Sequence, residues 1–515
     1  MALLKPVDGP GELHGRRKLE VFNPATLEKN GEIVVATASG VQQAVTAARA
    51  AQESWAALGF GERSRLMLKV RDALIGGVDS LIEVICNDTG KPRIEVLAGE
   101  VSGSCEALTF YARHARRLLG SRRERRHPLE SVKLVRSYGP MGVVGAITPW
   151  NFPLLLSVAP TVQALMAGNA VVLKPSEVTP FVGLALEEVF RAAEVPEGVF
   201  QVVSGDASTG AALVQSGCDM ISFAGSARTG RAVAEACAQR LIPCALELTG
   251  KNPMILCEDA DLERASRYAV SGAFANSGQI CTSIERVYVV EKVAQPFVDR
   301  VVALTRRLRQ GPETLGEIDV GALTLPDQLD VLERHVKDAI DKGARALTGG
   351  RRNPAYEGYF YEPTVLVDVD DSMQVMHEET FGPMLPIQVV KDEDEALQLV
   401  GGDSYALQVS LWTRSGYRAR QLADRVPVGR VTVNDVSSSH SMFASPVVGI
   451  KQSGIDRGNA ESGLKRYTRV QSVLQPRFPF RGDGLSYPYG SGALRAHERM
   501  LRVFYRSPIG RLLGK

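Results

Sequence analysis

A chain of 515 residues is too long for one hydrophobic core and points to roughly two or three domains. With 44% hydrophobic and 23% charged residues it has a globular balance, and a net charge of +2 gives no general pull toward nucleic acid. No apolar run reaches the ~18 residues of a bilayer-crossing helix, and Met1–Pro10 lacks the apolar core of a secretion signal. Seven cysteines (86, 105, 218, 237, 244, 257 and 281) form no CxxC pair, and the seven histidines are dispersed. Free thiols in a reducing compartment, a cytoplasmic location and no metal site are therefore expected.

In chain order, residues 1–18 read as a flexible N-terminal arm. Val21-Phe22-Asn23-Pro24-Ala25-Thr26 opens the ordered region with a turn. Apolar residues at helical spacing predict helices over 40–57 and 61–87, with a third over 91–119, and Trp55 and Leu66 read as core anchors. Arg122-Arg123-Glu124-Arg125-Arg126 reads as a solvated basic turn, because no interleaved aromatics offer bases a stacking platform. Ser131-Val132-Lys133-Leu134-Val135-Arg136 alternates like a strand.

From Val143 the pattern changes. Short, largely apolar runs at 143–148, 170–174, 199–203, 220–223 and 244–248 alternate with helical stretches to about Ala167 and over 179–193, 207–216 and 225–239. Such runs suit buried parallel strands, and the βαβ rhythm predicts a doubly wound sheet that binds ligands at its carboxyl strand ends. Thr148–Asn151, Lys174, Gly225–Ser226 and Glu247 fall at those ends. A second α/β region over about 250–440 has strand candidates at 286–290, 365–367, 385–390, 408–412 and 430–434.

Four segments carry candidate chemistry: Pro149-Trp150-Asn151-Phe152-Pro153, Leu246-Glu247-Leu248-Thr249-Gly250-Lys251, Asn276-Ser277-Gly278-Gln279-Ile280-Cys281-Thr282-Ser283 and Glu378-Glu379-Thr380-Phe381-Gly382-Pro383. Each has an ordinary structural explanation when taken alone. Cys281 is then core filler, Glu247 half of a surface ion pair, Asn151 a helix cap ahead of Pro153, and Phe381 core packing.

Taken together, in this order and with Cys281 34 residues after Glu247, the segments resemble the aldehyde dehydrogenase family over about residues 20–475. The resemblance implies an α/β fold of two doubly wound domains, one for the cofactor and one catalytic, plus a β-arm for oligomerisation. Residues 19–120 and 141–249 are then the dinucleotide-binding domain and 250–456 the catalytic domain. Residues 121–140 and 457–480 form the arm, and 481–515 a basic amphipathic tail. It also implies oxidation of an aldehyde to the carboxylic acid with NAD(P). Cys281 is the nucleophile that passes through a thiohemiacetal and a thioester. The Asn151 amide and the Cys281 N–H hold the alkoxide, and Glu247 is the base for water.

The cofactor set carried over is Thr148, Pro149, Trp150, Lys174, Ser176, Glu177, Gly205, Gly225, Ser226, Leu248, Glu379 and Phe381. Ser226 begins a helix whose free N–H groups attract phosphate. Glu177 places a carboxylate where a 2′-phosphate would lie, so NAD is expected, with Arg228 and NADP as the counter-reading. Thr249 stands where the family usually has Gly, and Pro446-Val447-Val448-Gly449 where Pro-Phe-Gly-Gly is common.

Gln279–Arg286 and Gly250–Ile255 look most like a bacterial branch described as succinate-semialdehyde dehydrogenases. A substrate carboxylate wants a bidentate Arg. Eight residues beyond Asn151, where established semialdehyde enzymes carry one, stands Ala159, and Arg286 also occurs in members with neutral substrates. An apolar aldehyde is therefore the alternative, with the entrance loop Ser437–Phe443 deciding. A coenzyme A-acylating relative and a non-catalytic scaffold are the more distant readings. A homodimer or homotetramer is expected, without nucleic acid. In the tail, Leu501, Val503, Phe504 and Tyr505 mingle with Arg495, Arg499, Arg502 and Arg506, a pattern that suits peripheral membrane contact or a docked helix.

Overall fold

A computed structural model describes residues 17–123, 132–436, 442–455, 457–476 and 487–506. The expectations for residues 1–16, for most of the basic run, for loop residues 437–441 and for the chain end after Arg506 lie outside the described residues. The chain divides into two compact units, Met1–Leu118 with Pro140–Thr468, and Leu119–Gly139 with Arg469–Lys515.

The first unit is built on two large sheets. One has five strands: β1 (Val143–Ile147), β2 (Ala170–Lys174), β3 (Phe200–Val202), β4 (Met220–Ala224) and β5 (Cys244–Glu247), in the order β3-β2-β1-β4-β5. All its pairings are parallel. The order reverses beside β1, which is where a doubly wound sheet opens a crevice at its carboxyl edge. Every residue of β1 and β2 is buried, as continuous apolar runs require when helices cover both faces.

The second sheet has seven strands: β6 (Pro253–Leu256), β7 (Arg286–Val290), β8 (Arg345–Thr348), β9 (Thr364–Val367), β10 (Met384–Val390), β11 (Gln408–Trp412) and β12 (Arg430–Val433). Their order is β8-β9-β10-β7-β6-β11-β12, parallel except for the antiparallel edge strand β8. Alternation along β6 sends Met254 and Leu256 into one hydrophobic cluster and Ile255 into the other. Two covered sheets bear out the expected α/β fold.

The helical forecast needs two corrections. The predicted helix over 61–87 is two helices, Phe60–Gly76 and Val78–Thr89, parted at Gly77, whose φ −102° and ψ 16° leave the helical region. The forecast over 91–119 contains a π turn, Val96–Val101, before the helix Ser102–Leu119. Trp55 is an anchor as expected: it is buried and its Nε1 donates to the Leu165 carbonyl at 2.9 Å.

The second unit holds a three-stranded sheet in the order Thr468–Pro476, Val132–Pro140, Arg122–Arg123, and a helix Ala493–Leu501.

Candidate active site

Cys281 is reached through an unusual stretch of backbone. After the helix Leu262–Phe274 the chain is left-handed at Asn276 (φ 49°), Ser277 (φ 54°) and Gly278 (φ 77°). Three such residues in succession are costly, and only a surrounding scaffold sustains them. Part of that scaffold is Gly278 itself, where a Cβ would lie 2.1 Å from the Gly382 carbonyl oxygen. Glycine thus lets the Cys281 loop touch the Glu378–Pro383 loop. Asn252 Nδ2 donates to the Cys281 carbonyl at 2.8 Å and the Ser283 carbonyl at 3.2 Å. Gln279 Oε1 accepts from the Thr324 N–H at 2.9 Å, and the Glu95 carboxylate accepts from the Asn276 N–H at 3.0 Å. Cys281 itself stays half-buried.

Of the residues selected from the sequence, ten line one cleft of about 460 Å³: Cys281, Glu247, Asn151, Pro149, Trp150, Gly225, Ser226, Leu248, Glu379 and Phe381. Thr148 lines an adjoining cavity together with Glu247 and Cys281. Lys174 ends β2, its Nζ 2.7 Å from Glu177 Oε2, and the Thr148 N–H donates to its carbonyl at 3.1 Å. Ser176 and Gly205 follow β2 and β3, and neither they nor Lys174 and Glu177 line the 460 Å³ cleft.

Asn151 is no helix cap. The N–H groups of Leu154 and Leu155 are taken at 3.0 Å each by Glu100 Oε2, a buried carboxylate whose other oxygen pairs with Lys91 Nζ at 2.5 Å. Freed from that duty, the Asn151 amide donates at 3.0 Å to the Gln279 carbonyl, two residues before the thiol. Glu247 is ion-paired while its side chain stays accessible from the cleft: its Oε1 meets Arg466 Nη1 at 2.8 Å, and Arg466 is itself tied to Gln163 Oε1 at 3.1 Å. A Cβ at Gly458 would sit 2.3 Å from the same Oε1, so the glycine leaves the carboxylate its room. The Leu248 N–H donates to the Ser453 carbonyl at 3.1 Å, so the divergent Pro446–Gly454 loop still fixes the strand end.

Burial, then the negative charges of Glu247 and Glu379, push the Cys281 thiol up to about 12, so it is neutral at rest. The Cys281 backbone N–H acts in the opposite sense by hydrogen-bonding the sulfur. Burial also drives the Glu379 carboxyl well above the usual carboxylate range, followed by the charge of Glu285. Thr249, the residue that replaces the family's glycine, hydrogen-bonds that carboxyl together with the Gly250 N–H. Glu379 Oε1 is nevertheless buried without a partner. Glu285 holds the loop beyond it by accepting from the Thr380 and Phe381 N–H groups at 3.0 and 2.9 Å, while Lys251 Nζ sits 2.6 Å from the same carboxylate. Phe381, at φ 47°, meets Trp150 edge-on at 5.5 Å.

These features fit a dinucleotide. The helix Ala227–Gln239 starts at the cleft, capped by Ser226 Oγ, which accepts from the Thr229 N–H at 3.3 Å. Its N-terminal dipole and the Arg228 and Arg334 side chains in the cleft wall suit phosphate. The lone acceptor on Glu379 suits a ribose hydroxyl.

Local sequence did not mark several wall residues. Leu325, Gln328, Val331 and Arg334 reach the cleft from the helix Asp327–Asp341 and the segment before it. Arg466 and Gly458 also went unmarked, since an arginine beside a tyrosine and a glycine in a loop carry no signal. A second chamber of about 370 Å³ also ends at Cys281. Its walls are chiefly Phe152, Leu155, Leu156, Ile280 and Val436, with Gly99 and Gly103. Lys91 is in the wall, but it is paired with Glu100 and lies 3.9 Å over the Phe152 ring.

The doubly wound fold and a thiol facing a dinucleotide-sized cleft define an NAD(P)-dependent oxidoreductase. The chain belongs to the aldehyde dehydrogenase family, whose model matches residues 12–473. It is similar to the 4,4'-diapolycopene aldehyde oxidase of Methylomonas sp, 37% identical across 92% of this chain and 89% of that protein. It is equally similar to a Mycolicibacterium smegmatis protein provisionally named succinate-semialdehyde dehydrogenase (NADP(+)), 37% identical across 96% of both chains. The crystal structure of a Mycobacterium tuberculosis aldehyde dehydrogenase complexed with NAD+ superposes with a TM-score of 0.85 at 34% identity, covering 89% of this chain and 95% of that one.

Proposed function

We propose that the protein oxidises an aldehyde with an apolar tail to its carboxylic acid, with NAD preferred. Cys281 is the nucleophile. Its thiol gives up its proton to solvent, and the sulfur bonds to the carbonyl carbon. The Asn151 amide and the Cys281 N–H stabilise the alkoxide that forms. Bound nicotinamide supplies the hydride acceptor that makes the step an oxidation. The acyl group then sits on Cys281 as a thioester. Glu247 takes a proton from water, the hydroxide attacks the acyl carbon, and sulfur leaves as thiolate. Arg466 acts through Glu247 by keeping that carboxylate in place beside Gly458.

The apolar chamber that ends at Cys281 carries the substrate reading. A second reading, a short carboxylated aldehyde such as succinate semialdehyde, draws support from Arg430, which reaches the small cavity beside Cys281 and Thr282. The two readings separate in one steady-state profile. Linear aldehydes should gain about fourfold in kcat/KM per methylene, the equivalent of about 0.8 kcal/mol, until the chamber fills. Succinate semialdehyde should be poorer than the neutral aldehyde of equal length, and a reversal of that order rejects the apolar assignment. NAD should outperform NADP if Glu177, paired with Lys174, faces the cofactor's 2′-position as the family resemblance implies. Coenzyme A dependence would move the protein to the acylating branch.

The β-arm is the proposed self-association surface. Its strand Thr468–Pro476 is at a sheet edge and exposes Val470, Val473 and Leu474, an arrangement that pairing with a second copy relieves.

A further inference from the structure

We propose that the C-terminal helix docks the protein on an anionic lipid surface. The helix Ala493–Leu501 continues through a π turn, Arg502–Arg506, and none of its residues is buried. Helical spacing puts Leu494, Met500, Leu501, Phe504 and Tyr505 on one side. Arg495, Glu498, Arg499 and Arg502 fall on the opposite side. Leu494 is 75% exposed, Leu501 53% and Tyr505 63%, a contiguous apolar strip on a helix of under four turns. Tyr487 and Tyr489 lie just before it, 4.7 Å apart and both exposed. Aromatic rings with a polar tip favour the headgroup level of a bilayer.

Charge selects the occupant. Residues 493–506 carry four arginines and one glutamate in a chain whose net charge is only +2, so the basic excess is concentrated on this helix. Guanidinium groups flanking an apolar strip pair with lipid phosphates while the strip enters the acyl boundary. The helix also lies beyond residue 473, where the family model ends, so the family fold does not require it. This inference is independent of the substrate reading, although a membrane surface is also where an apolar aldehyde concentrates.

The test is flotation of the full-length protein with vesicles of phosphatidylcholine containing one-third phosphatidylglycerol, against pure phosphatidylcholine. Binding should favour the anionic vesicles at least tenfold and fall with added salt. Each of R495Q, R499Q and R502Q should weaken it about fivefold. L501E combined with F504E should abolish flotation while leaving turnover of a water-soluble aldehyde unchanged. Equal flotation with both vesicle types, or with the double variant, overturns the proposal. So does a double variant that still floats but changes oligomeric mass by light scattering, since the apolar strip then faces a second copy.

Discussion

The two cavities that meet at Cys281 are built in opposite ways. The dinucleotide-sized cleft is walled by strand ends and their loops with one face of the helix Asp327–Asp341, and its polar groups are held by backbone hydrogen bonds and buried ion pairs such as Lys251–Glu285. The chamber on the other side is walled by apolar side chains from helices and loops alike, among them Leu155, Leu156, Phe152, Ile280 and Val436, and carries little polar surface. Chemistry needs groups fixed at defined positions, which strand ends supply. Selectivity for a tail needs only volume and apolarity, and the side chains of the chamber wall can vary these without disturbing the reaction. Substitutions should therefore divide by cavity.

The largest effect is expected on the cleft side. Asn151→Ala should lower kcat by about 10²–10³ for short and long aldehydes alike, as removal of an oxyanion donor does. A loss confined to one substrate class would show that the amide reads the tail instead. Arg466→Gln should slow turnover by about tenfold, with the loss in hydrolysis of the acyl-enzyme rather than in the first burst of reduced nicotinamide. Arg466→Lys should recover part of it, because a cation is restored beside Glu247. A slowed burst with unchanged hydrolysis would mean that Arg466 serves another step.

On the chamber side, a Cβ at Gly103 would already lie 3.2 Å from Leu155, so Gly103→Leu fills the space. Long aldehydes should lose about tenfold in kcat/KM while the shortest keep theirs, an effect of one to two methylenes of lost burial. An equal loss for all lengths would indicate damage to the fold. A pH response probes the same thiol without any substitution. With the Cys281 thiol pushed up to about 12, the thiolate fraction rises throughout the neutral range. Alkylation of Cys281 by iodoacetamide in the cofactor-free enzyme should climb about tenfold per pH unit from 7 to 9, followed on the Cys281 peptide by mass spectrometry. A plateau near neutrality would mean that the resting thiol is already ionised.

Much of the fold around the dinucleotide-sized cleft was legible because its strands end where local patterns end. β2, β7 and β11 begin and end at the residues expected, since continuous apolar runs flanked by polar turns have one reading. β6 was missed although it is central in its sheet, because four residues opening on Pro253 carry no periodicity. The break at Gly77 was missed because apolar spacing continues across it. Family resemblance, not pattern, brought Asn151, Glu247 and Cys281 together. The capping duty suggested for Asn151 belongs to Glu100, 51 residues earlier, which only tertiary structure reveals. Arg466 reaches Glu247 from 219 residues away, a pairing that no local rule anticipates.

The most direct test is intact-protein and peptide mass spectrometry of Glu247→Gln mixed with NAD and an excess of a long-chain aldehyde. One acyl group should accumulate on Cys281 within the first turnover, with hydrolysis slowed by about 10²–10⁴. An acyl group on another residue, or normal turnover with none trapped, would contradict the assignment of Cys281 and Glu247 to one reaction.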